Sequence, residues 1–360
     1  MADRQGAMES LVNLTNFYKN KRVFVTGHTG FKGGWLIFWL QKMGAEVCGY
    51  ARAPLPGLSL YHCIRGEELC QSHLGDVADF GRLKEAFDAF RPEIVIHLAA
   101  QAIVREGYRA PRDTYLTNLM GTVNLLECVR LSPAVRSVLN VTTDKVYKNR
   151  EWEWGYRETD ALDGYDPYSN SKSCSELATH SYRNSFLNQR GVAVSTARAG
   201  NVIGGGDFAA DRILPDCLRA AAAGEDIVLR NPYSVRPYQH VLEPLYAYLL
   251  IAAMQYGDLS RAGYYNVGPN EDDCYATGKL ADIFVNAWGK GARWVSKEDG
   301  GPHEAGFLKL DCSRIKHAFG WRPRWNLKTA VEKTVEWEKC RLSGGDVRAC
   351  MDRQISEFFS

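Results

Sequence analysis

Short apolar runs alternate with longer segments of helical periodicity over the first 150 residues of the chain. The run RVFVTG (22–27) ends in glycine and leads through GHTGFKG into the apolar periodic segment WLIFWLQKM, after which AEVCGY (45–50) is apolar again. This order predicts a strand, a tight turn, a helix and a second strand.

The same alternation predicts three more strands, in SHLGDV (72–77), EIVIHLAAQ (93–101) and SVLNVTTD. Helices are expected at 79–90 and 112–131. The alternation predicts an α/β fold, a Rossmann-type doubly wound parallel sheet whose ligands bind beyond the carboxyl ends of its strands. The residues expected at these ends are Gly27, Asp76, Ala99, Ala100, Thr142 and Thr143.

The glycines of the first turn, Gly27, Gly30 and Gly33, are spaced three apart. Within a βαβ unit such glycines let the backbone approach a pyrophosphate at the helix N-terminus, which predicts dinucleotide binding. The acidic residue usual for NAD is missing near Arg52; an arginine suits a 2′-phosphate or is simply a solvated loop residue, so NADP stays open. His28 lies inside the loop, where its bulk is expected to crowd the pyrophosphate.

The second half of the chain is richer in helical patterns. RAGNVIGGGDF (198–208) predicts a strand and a glycine-rich loop, which either contributes to a site or is a flexible turn. The helices expected beyond it are at 211–224, 241–256, 276–289 and 327–341. The expected organisation is a loose lead-in at 1–20, a mainly dinucleotide-binding Rossmann domain at 21–200 and a mainly substrate-binding smaller C-terminal lobe at 201–360, with the chain crossing between the two.

Composition excludes several classes of protein. The chain has 360 residues, 45% of them hydrophobic and 24% charged, and a net charge of +2 with no basic block, so no nucleic-acid partner is expected. Ten scattered cysteines without a CxxC pair suit a reducing cytoplasm. MADRQGAMESLVN lacks the apolar core of a signal peptide, and the run around YAYLLIAAM is too short to span a bilayer, so no membrane partner is expected. No metal is expected, because His303, Glu304 and Asp311 lack ligand spacing.

Two short motifs carry candidate chemistry. Tyr168 and Lys172 form a YxxxK pair whose side chains share one face of a helix, where the ammonium would lower the pKa of the phenol and make it a base. The alternative is an exposed helix pair. In VTTDKVY (141–147), Asp144 and Lys145 follow a strand and are either two proton-transfer groups or a surface ion pair.

The motifs GxxGxxG, LAAQ, the Thr143 strand end and YxxxK occur in the order that resembles the extended short-chain dehydrogenase/reductase superfamily. Longer segments, among them TGHTGFKGGWL, TTDKVY, RAGNVIGGGD, RNPYSVRPYQHVLEPL and PHEAGFLKLDCSR, resemble its nucleotide-sugar 4,6-dehydratases, above all those acting on CDP-glucose, over about residues 20–330. The resemblance implies a lyase that uses NAD to convert CDP-glucose into CDP-4-keto-6-deoxyglucose, for a deoxysugar of a surface polysaccharide.

The resemblance also implies residue roles. Tyr168 takes the proton of the sugar 4-hydroxyl, Thr143 donates to the 4-oxygen, Asp144 protonates the departing 6-hydroxyl, and Lys145 stands where dTDP-glucose enzymes have a glutamate that removes the C5 proton. Lys172 completes the catalytic set. The expected cofactor contacts are Gly27, Gly30, Phe31, Gly33, Asp76, Val77, Leu98, Ala99, Ala100, Gln101, Asn118, Thr142, Tyr168 and Lys172. The expected substrate contacts are Asn201, Arg212, Arg236, His240 and His303, with Arg236 on the diphosphate and His240 structural or against the pyrimidine.

Quaternary structure follows from the same resemblance. The helix at 112–131 and the helix starting at Tyr168 both carry apolar stripes, which in this superfamily often form a four-helix interface in a homodimer or homotetramer. The alternative is that both helices simply pack on the sheet.

Two other functions are compatible with this scaffold. A nucleotide-sugar 4-epimerase would use the same tyrosine and threonine but would not need Asp144 and Lys145. A non-catalytic dinucleotide sensor would need none of the proton-transfer groups.

Overall fold

A parallel sheet at the centre of the protein confirms the predicted Rossmann-type α/β class. The computed structural model describes residues 2–297 and 306–360. Within them, seven strands form one parallel sheet in the order β11–β6–β5–β4–β1–β2–β3. The strands are β1 Arg22–Thr26, β2 Glu46–Ala51, β3 Gln71–Leu74, β4 Ile94–His97, β5 Ser137–Val141, β6 Ala193–Ala199, β7 Val202–Ile203, β8 Ile227–Leu229, β9 Val235–Arg236, β10 Gln239–His240, β11 Tyr264–Val267, β12 Tyr275–Ala276 and β13 Trp294–Ser296.

The strand order creates the crevice that holds the candidate site. β1 lies between β2 and β4, so the chain reverses its direction of progress across the sheet at this point, and loops diverge from the carboxyl ends of β1 and β4. β11 comes from the C-terminal half and pairs with β6, so both halves of the chain build the one sheet. This seventh strand had no counterpart among the sequence predictions.

The helices predicted from periodicity are confirmed to within a few residues. The predicted helix at 112–131 is formed by α6 and α7 joined through a π-helical turn, Leu116–Met120. The helices are α1 Ala2–Tyr18, α2 Phe31–Lys42, α3 Leu60–Cys63, α4 Phe80–Phe90, α5 Val104–Arg109, α6 Pro111–Tyr115, α7 Gly121–Leu131, α8 Pro167–Tyr182, α9 Ile213–Ala223, α10 Leu242–Gly257, α11 Thr277–Trp288, α12 Ser313–Phe319, α13 Leu327–Leu342 and α14 Val347–Phe358.

Two apolar cores cover the two faces of the sheet. Val23 and Val25 of β1 belong to the core that includes α2 and α10, whereas Phe24 belongs to the core that includes α4 and α7. A strand buried on both faces has no polar alternation, which explains the continuous apolar run in the sequence. A third core, formed largely by α9, α11 and α13, builds the smaller lobe.

The N-terminal segment departs from its prediction. In place of a loose lead-in, α1 ends with Leu14 and Tyr18 in the core. The buried Tyr18 hydroxyl donates to the carbonyl of Leu249 at 2.8 Å. Burying these apolar residues gives the segment a docking face, so its last turns are held on α10.

The glycine run at 204–206 is a packing junction rather than a flexible turn. A Cβ added at Gly205 would lie 2.1 Å from the Cγ of Trp337, and the indole of Trp35 donates to the Gly205 carbonyl at 2.9 Å. A side chain at this position would therefore have to displace a buried tryptophan ring.

Gly205→Ala is expected to lower the free energy of unfolding by about 2 kcal/mol or more, because overpacking a well-filled core forces its neighbours to shift. Chemical denaturation of the purified variant measures this change. Gly257→Ala is the control, since a Cβ there meets no atom within 4 Å outside its own helix turn and Gly257 is exposed at the end of α10. Equal stability of the two variants would contradict the packing interpretation.

Candidate active site

The glycine turn after β1 forms a cradle with room for backbone alone. Gly27 has a φ of +77°, and a Cβ there would lie 2.8 Å from the amide nitrogen of Ala99. A Cβ at Gly33 would lie 2.1 Å from the carbonyl oxygen of Gly27. Helix α2 begins directly after the turn without an acidic residue in its first turn or a side-chain cap on its amides. These residues fit the pyrophosphate of a dinucleotide, because free helix N–H groups attract an anion that a side chain would exclude.

The imidazole of His28 points away from this cradle, so the expected crowding is wrong. The ring lies buried over β2, where a Cβ on Gly49 would come within 2.3 Å of it, and its Nε2 pairs with the Ser72 hydroxyl at 2.7 Å. Burial lowers the pKa of His28 to about 4, which keeps the ring neutral. Arg52 is exposed, and its carbonyl accepts a hydrogen bond from Thr29.

The loop after β4 is held against the cradle by buried polar groups. The Thr26 hydroxyl accepts from the amides of Leu98 and Ala99, both at 3.1 Å. Asn118, in the π-helical turn, accepts from the Gln101 amide at 2.8 Å and donates to the Gln101 carbonyl and to Ser171. With both amide hydrogens engaged inside the protein, Asn118 lies behind the crevice and positions residues that border it.

Strand β3 ends three residues earlier than the strand predicted at 72–77. β3 ends at Leu74, so Asp76 stands beyond the strand, where its Oδ1 accepts from the Ala78 amide at 2.9 Å. The side chain of Val77 is buried in the core below, where a Cβ on Gly121 would lie 2.5 Å from it. Only the backbone of Val77 is therefore available to a ligand.

A single turn of 3₁₀-helix, Asp144–Val146, carries the predicted proton-transfer groups at the end of β5. Thr143 donates to Asp144 Oδ1 at 2.9 Å, and the Nζ of Lys145 lies 3.5 Å from the same oxygen. Asp144 is 1% exposed, Lys145 is 31% exposed, and the second carboxylate oxygen of Asp144 is buried without a partner among the described residues. A buried carboxylate beside an amine excludes the interpretation as a surface ion pair.

Helix α8 brings the YxxxK pair to this turn. The helix begins with the Asp166 side chain accepting from the Ser169 amide at 3.0 Å and with Pro167 in its first turn, which are standard start signals. Tyr168 and Lys172 follow one helical turn apart and are both buried.

The predicted fall in the pKa of Tyr168 is wrong for the chain by itself. Burial raises the pKa of the phenol to about 12, against opposing effects of a hydrogen bond with Thr143 and of the Arg212 charge. Burial, together with the charge of Lys32, lowers the pKa of Lys172 to about 7, and its amine donates to the Val141 carbonyl at 3.0 Å. Desolvation is therefore the largest effect on both groups and opposes the charged form of each.

The two arginines predicted as substrate contacts, Arg212 and Arg236, both bond to oxygen atoms of the protein. Arg212 is bound to the buried Asp207 at 2.9 Å, and Arg236 is buried in β9 with its guanidinium donating to the Val235 carbonyl at 3.1 Å. The buried carbonyl oxygen of the Asn201 side chain has no partner among the described residues, which leaves it available to a ligand donor. These three predicted positions border the same lobe.

His240 is part of the core and does not line the crevice. It is fully buried, and its ring centroid lies 6.0 Å from Trp35 and 4.9 Å from Trp325. Burial lowers its pKa to about 3. The structure therefore favours the structural alternative over a contact with substrate. His303 lies outside the described residues.

Two charged residues near the site, Lys32 and Asp207, were not predicted from the sequence. Lys32 lies where burial and the Arg212 charge lower its pKa to about 8, while Asp144 and Asp207 oppose that effect. The signals in the sequence were a lysine in the glycine turn, GFKG, and an aspartate directly after the run of three glycines. Lys32 lies within electrostatic range of Asp144 on the turn and of Arg212 and Asp207, which pair with each other.

Neither a metal-binding cluster nor a membrane-spanning helix is found among the described residues. No cluster of three or more His, Cys, Asp or Glu side chains there is arranged to hold a metal ion. No helix in that part of the chain has the length and apolarity needed to cross a membrane. All ten cysteines are described, and none forms a disulfide.

Comparison with known proteins groups this chain with enzymes that modify nucleotide sugars. A family model described as GDP-mannose 4,6 dehydratase matches residues 24–334. The CDP-glucose 4,6-dehydratase of Salmonella typhimurium is 48% identical over 351 residues, which cover 96% of this chain and 98% of that protein. The probable dTDP-glucose 4,6-dehydratase of Sinorhizobium fredii is 27% identical over 337 residues, which cover 88% and 92% of the two chains.

Solved structures share the fold. The crystal structure of Thermus thermophilus UDP-glucose 4-epimerase, a complex with NAD, superimposes with a TM-score of 0.76 at 26% identity, over 88% of this chain and 99% of that chain. Proteins that resemble this chain thus include an epimerase and enzymes named as dehydratases. The fold alone does not decide the reaction, so the catalytic side chains must do so.

Proposed function

This chain belongs to the GDP-mannose 4,6 dehydratase family, and from that premise we propose that it is an NAD-dependent lyase that dehydrates CDP-glucose to CDP-4-keto-6-deoxyglucose. The predicted resemblance to nucleotide-sugar 4,6-dehydratases is thereby confirmed. The observation that carries the proposal is the buried Asp144 carboxylate beside the Lys145 amine, next to Thr143 and Tyr168. An epimerase that only moves hydride at C4 has no use for this acid and amine.

NAD is proposed to bind in the cradle of Gly27 and Gly33, and when bound it supplies the acceptor and later the donor of the hydride. The similarity to the CDP-glucose enzyme and the NAD complex of the related epimerase fold support NAD over NADP. Arg52 supplies no argument for a 2′-phosphate, because its exposed side chain is that of an ordinary loop residue.

The side chains divide the proton transfers among them. Tyr168 takes the proton of the sugar 4-hydroxyl, and Thr143 donates to the 4-oxygen. Lys145 removes the C5 proton that the adjacent 4-ketone has made acidic, and Asp144 delivers a proton to the departing 6-hydroxyl, which leaves as water. The two roles require the proton of the pair to lie on Asp144 rather than on Lys145 before elimination.

The remaining site residues bind and position the reactants. Lys172 is proposed to hold the cofactor ribose, and Asn201 and Arg236 to bind the diphosphate of the sugar nucleotide, where a planar guanidinium grips phosphate well. Arg212 lies within electrostatic range of Tyr168 and is proposed to favour its phenolate form. His303, named from the sequence as a substrate contact, stays a prediction.

The proposal is tested by incubating the purified protein and NAD with CDP-, dTDP-, GDP- and UDP-hexoses in separate reactions and identifying the products by mass. Loss of one water from CDP-glucose alone is the expected result. An isomeric hexose of unchanged mass that is inverted at C4 would identify an epimerase instead. Binding of NAD without turnover of any sugar nucleotide would identify a sensor.

We also propose that the protein is a cytoplasmic homo-oligomer assembled through α7 and α8. Met120, Leu131, Leu177 and Phe186 are exposed apolar residues on or beside these helices. Apolar side chains that remain exposed on two adjacent helices favour burial against a second copy of the same pair.

Leu177→Glu is expected to lower the oligomer mass toward that of a single chain, because it places a charge on the proposed interface. Light scattering after size-exclusion chromatography measures the mass. Leu259→Glu is the control, since that leucine is also exposed but lies on a turn away from α7 and α8. An unchanged mass in the Leu177 variant would place the interface elsewhere.

A further inference from the structure

Helix α8 carries a buried carboxylate that the catalytic scheme does not use. Glu176 follows Lys172 by four residues and Tyr168 by eight, so all three lie along one side of the helix. Its Oε1 accepts from the Thr142 hydroxyl at 2.5 Å. Its Oε2 accepts from the Thr196 hydroxyl at 2.7 Å and forms an ion pair with Arg198 at 2.9 Å.

Arg198 connects Glu176 to residues on the far side of the turn that carries Asp144 and Lys145. Its Nη1 donates to the Tyr147 hydroxyl at 2.9 Å and to the Glu158 carbonyl at 3.1 Å. The Tyr147 hydroxyl in turn donates to the side chain of Asn266 at 2.6 Å. Arg198 and Glu176 are 2% and 1% exposed, so the whole connection is shielded from water.

The two ends of this network flank the residues that carry the proposed acid and base. Thr142 directly precedes the segment 143–146, and Tyr147 directly follows it. Glu176 therefore bonds Thr142 at the first end directly and reaches Tyr147 at the second end through Arg198. A buried ion pair is weak evidence for stability, because desolvation offsets most of the attraction. Its contacts with both ends of one short turn suggest a geometric role instead.

We propose that the Glu176–Arg198 pair is a positioning device that holds the turn bearing Asp144 and Lys145 at a set distance from Tyr168 and Lys172. This inference rests on the proposed dehydration. Tyr168 and Lys172 belong to α8 itself and keep their spacing without the pair. The turn is a separate segment, so loosening the pair moves both elimination groups, whereas among the oxidation groups it moves only Thr143 and leaves Tyr168 and Lys172 in place.

The consequence is a division between the two halves of the reaction. Loss of the pair slows dehydration more than oxidation at C4, since small misplacements of reacting groups cost large factors in rate. Glu176→Gln is expected to slow dehydration by about a hundredfold and Tyr147→Phe by about tenfold, with a smaller effect on oxidation in both.

Three variants test the proposal. Glu176→Gln removes the charge, and Tyr147→Phe removes only the hydroxyl that joins Arg198 to Asn266. Thr196→Val is the matched control, because it also removes one hydroxyl bonded within the network but touches β6 rather than the turn. Tyr147→Phe keeps the test decisive if Glu176→Gln fails to fold.

The first measurement is hydrogen–deuterium exchange of the peptide spanning 141–148 in the protein alone. Faster exchange in the Tyr147 and Glu176 variants, with wild-type exchange in the Thr196 variant, is expected. The second measurement follows a single turnover of CDP-glucose by the near-ultraviolet absorbance of reduced nicotinamide and by product mass. The two test variants are expected to accumulate the reduced cofactor before product is formed, and the control is not.

Two results would overturn the proposal. One is exchange in the 141–148 peptide of Tyr147→Phe that matches wild type. The other is oxidation and dehydration slowed by the same factor. Failure of the wild-type protein to release water from CDP-glucose is a separate outcome, which contradicts the proposed function, and the exchange measurement then decides by itself whether the pair holds the turn.

Discussion

Tyr168→Phe is expected to lower kcat by about a thousandfold, the middle of the range for loss of a positioned proton-transfer group. The hydroxyl is the only group removed, and it is the one that lies against Thr143 at the end of β5. Burial holds the pKa of this phenol at about 12 in the chain by itself, against the opposing effects of Thr143 and Arg212. The measurement is the rate of CDP-4-keto-6-deoxyglucose formation at saturating substrate and NAD.

Tyr165→Phe is the matched control, because this tyrosine precedes α8 by two residues and is 84% exposed. Its kcat is expected to equal that of wild type. The melting temperature of Tyr168→Phe is expected to change little, since the ring and its packing remain. A Tyr168 variant that retains most of its activity would remove this residue from the proposed chemistry.

Lys145→Met is expected to lower the rate of dehydration by about a hundredfold or more, because it removes the proposed base for C5 while keeping the length of the side chain. Lys145 is partly exposed and lies 3.5 Å from Asp144, so its amine can face both the carboxylate and the open crevice. CDP-glucose with deuterium at C5 gives the direct measurement, since loss of the label reports removal of that proton.

Lys148→Met serves as the control for Lys145→Met. Lys148 follows in the same segment, is exposed and pairs with Asp163 at the surface. Its removal is expected to leave both label exchange and dehydration unchanged. If the Lys145 variant removes the C5 deuterium from CDP-glucose and dehydrates it at wild-type rates, another group is the base. The pairing of Lys145 with Asp144 then has a different purpose.

Periodicity predicted most elements of the fold because each depends on a local pattern. The β1–α2–β2 unit, α4, α8 and α13 all carry runs whose period matches one secondary structure. β11, Tyr264–Val267, was missed, because its place in the sheet depends on pairing with β6, a segment distant in sequence. The N-terminal helix was also missed, because the composition of residues 1–20 suggested a loose end while the docking of Tyr18 onto α10 depends on a distant partner.

The candidate site also has parts that the sequence predicted and parts that it did not. The glycine turn, the Thr143–Lys145 turn and the YxxxK pair each lie within one short segment, and the order of these motifs predicted that they share one site. His28 was expected to crowd the glycine turn and His240 kept two open roles, because the sequence shows that a side chain is polar but not which way it points. The structure turns His28 onto Gly49 and seals His240 between Trp35 and Trp325.

The sequence by itself determined the Rossmann-type sheet and identified the glycine turn and the candidate proton-transfer side chains, because these depend on spacing within a segment. Only the tertiary structure decided how those groups are charged and held. The pKa of Tyr168 rises rather than falls, and Glu176 and Arg198, 22 residues apart in sequence, form a buried ion pair. Both results come from burial and from contacts between different strands and helices, and neither burial nor such contacts can be read from a local pattern.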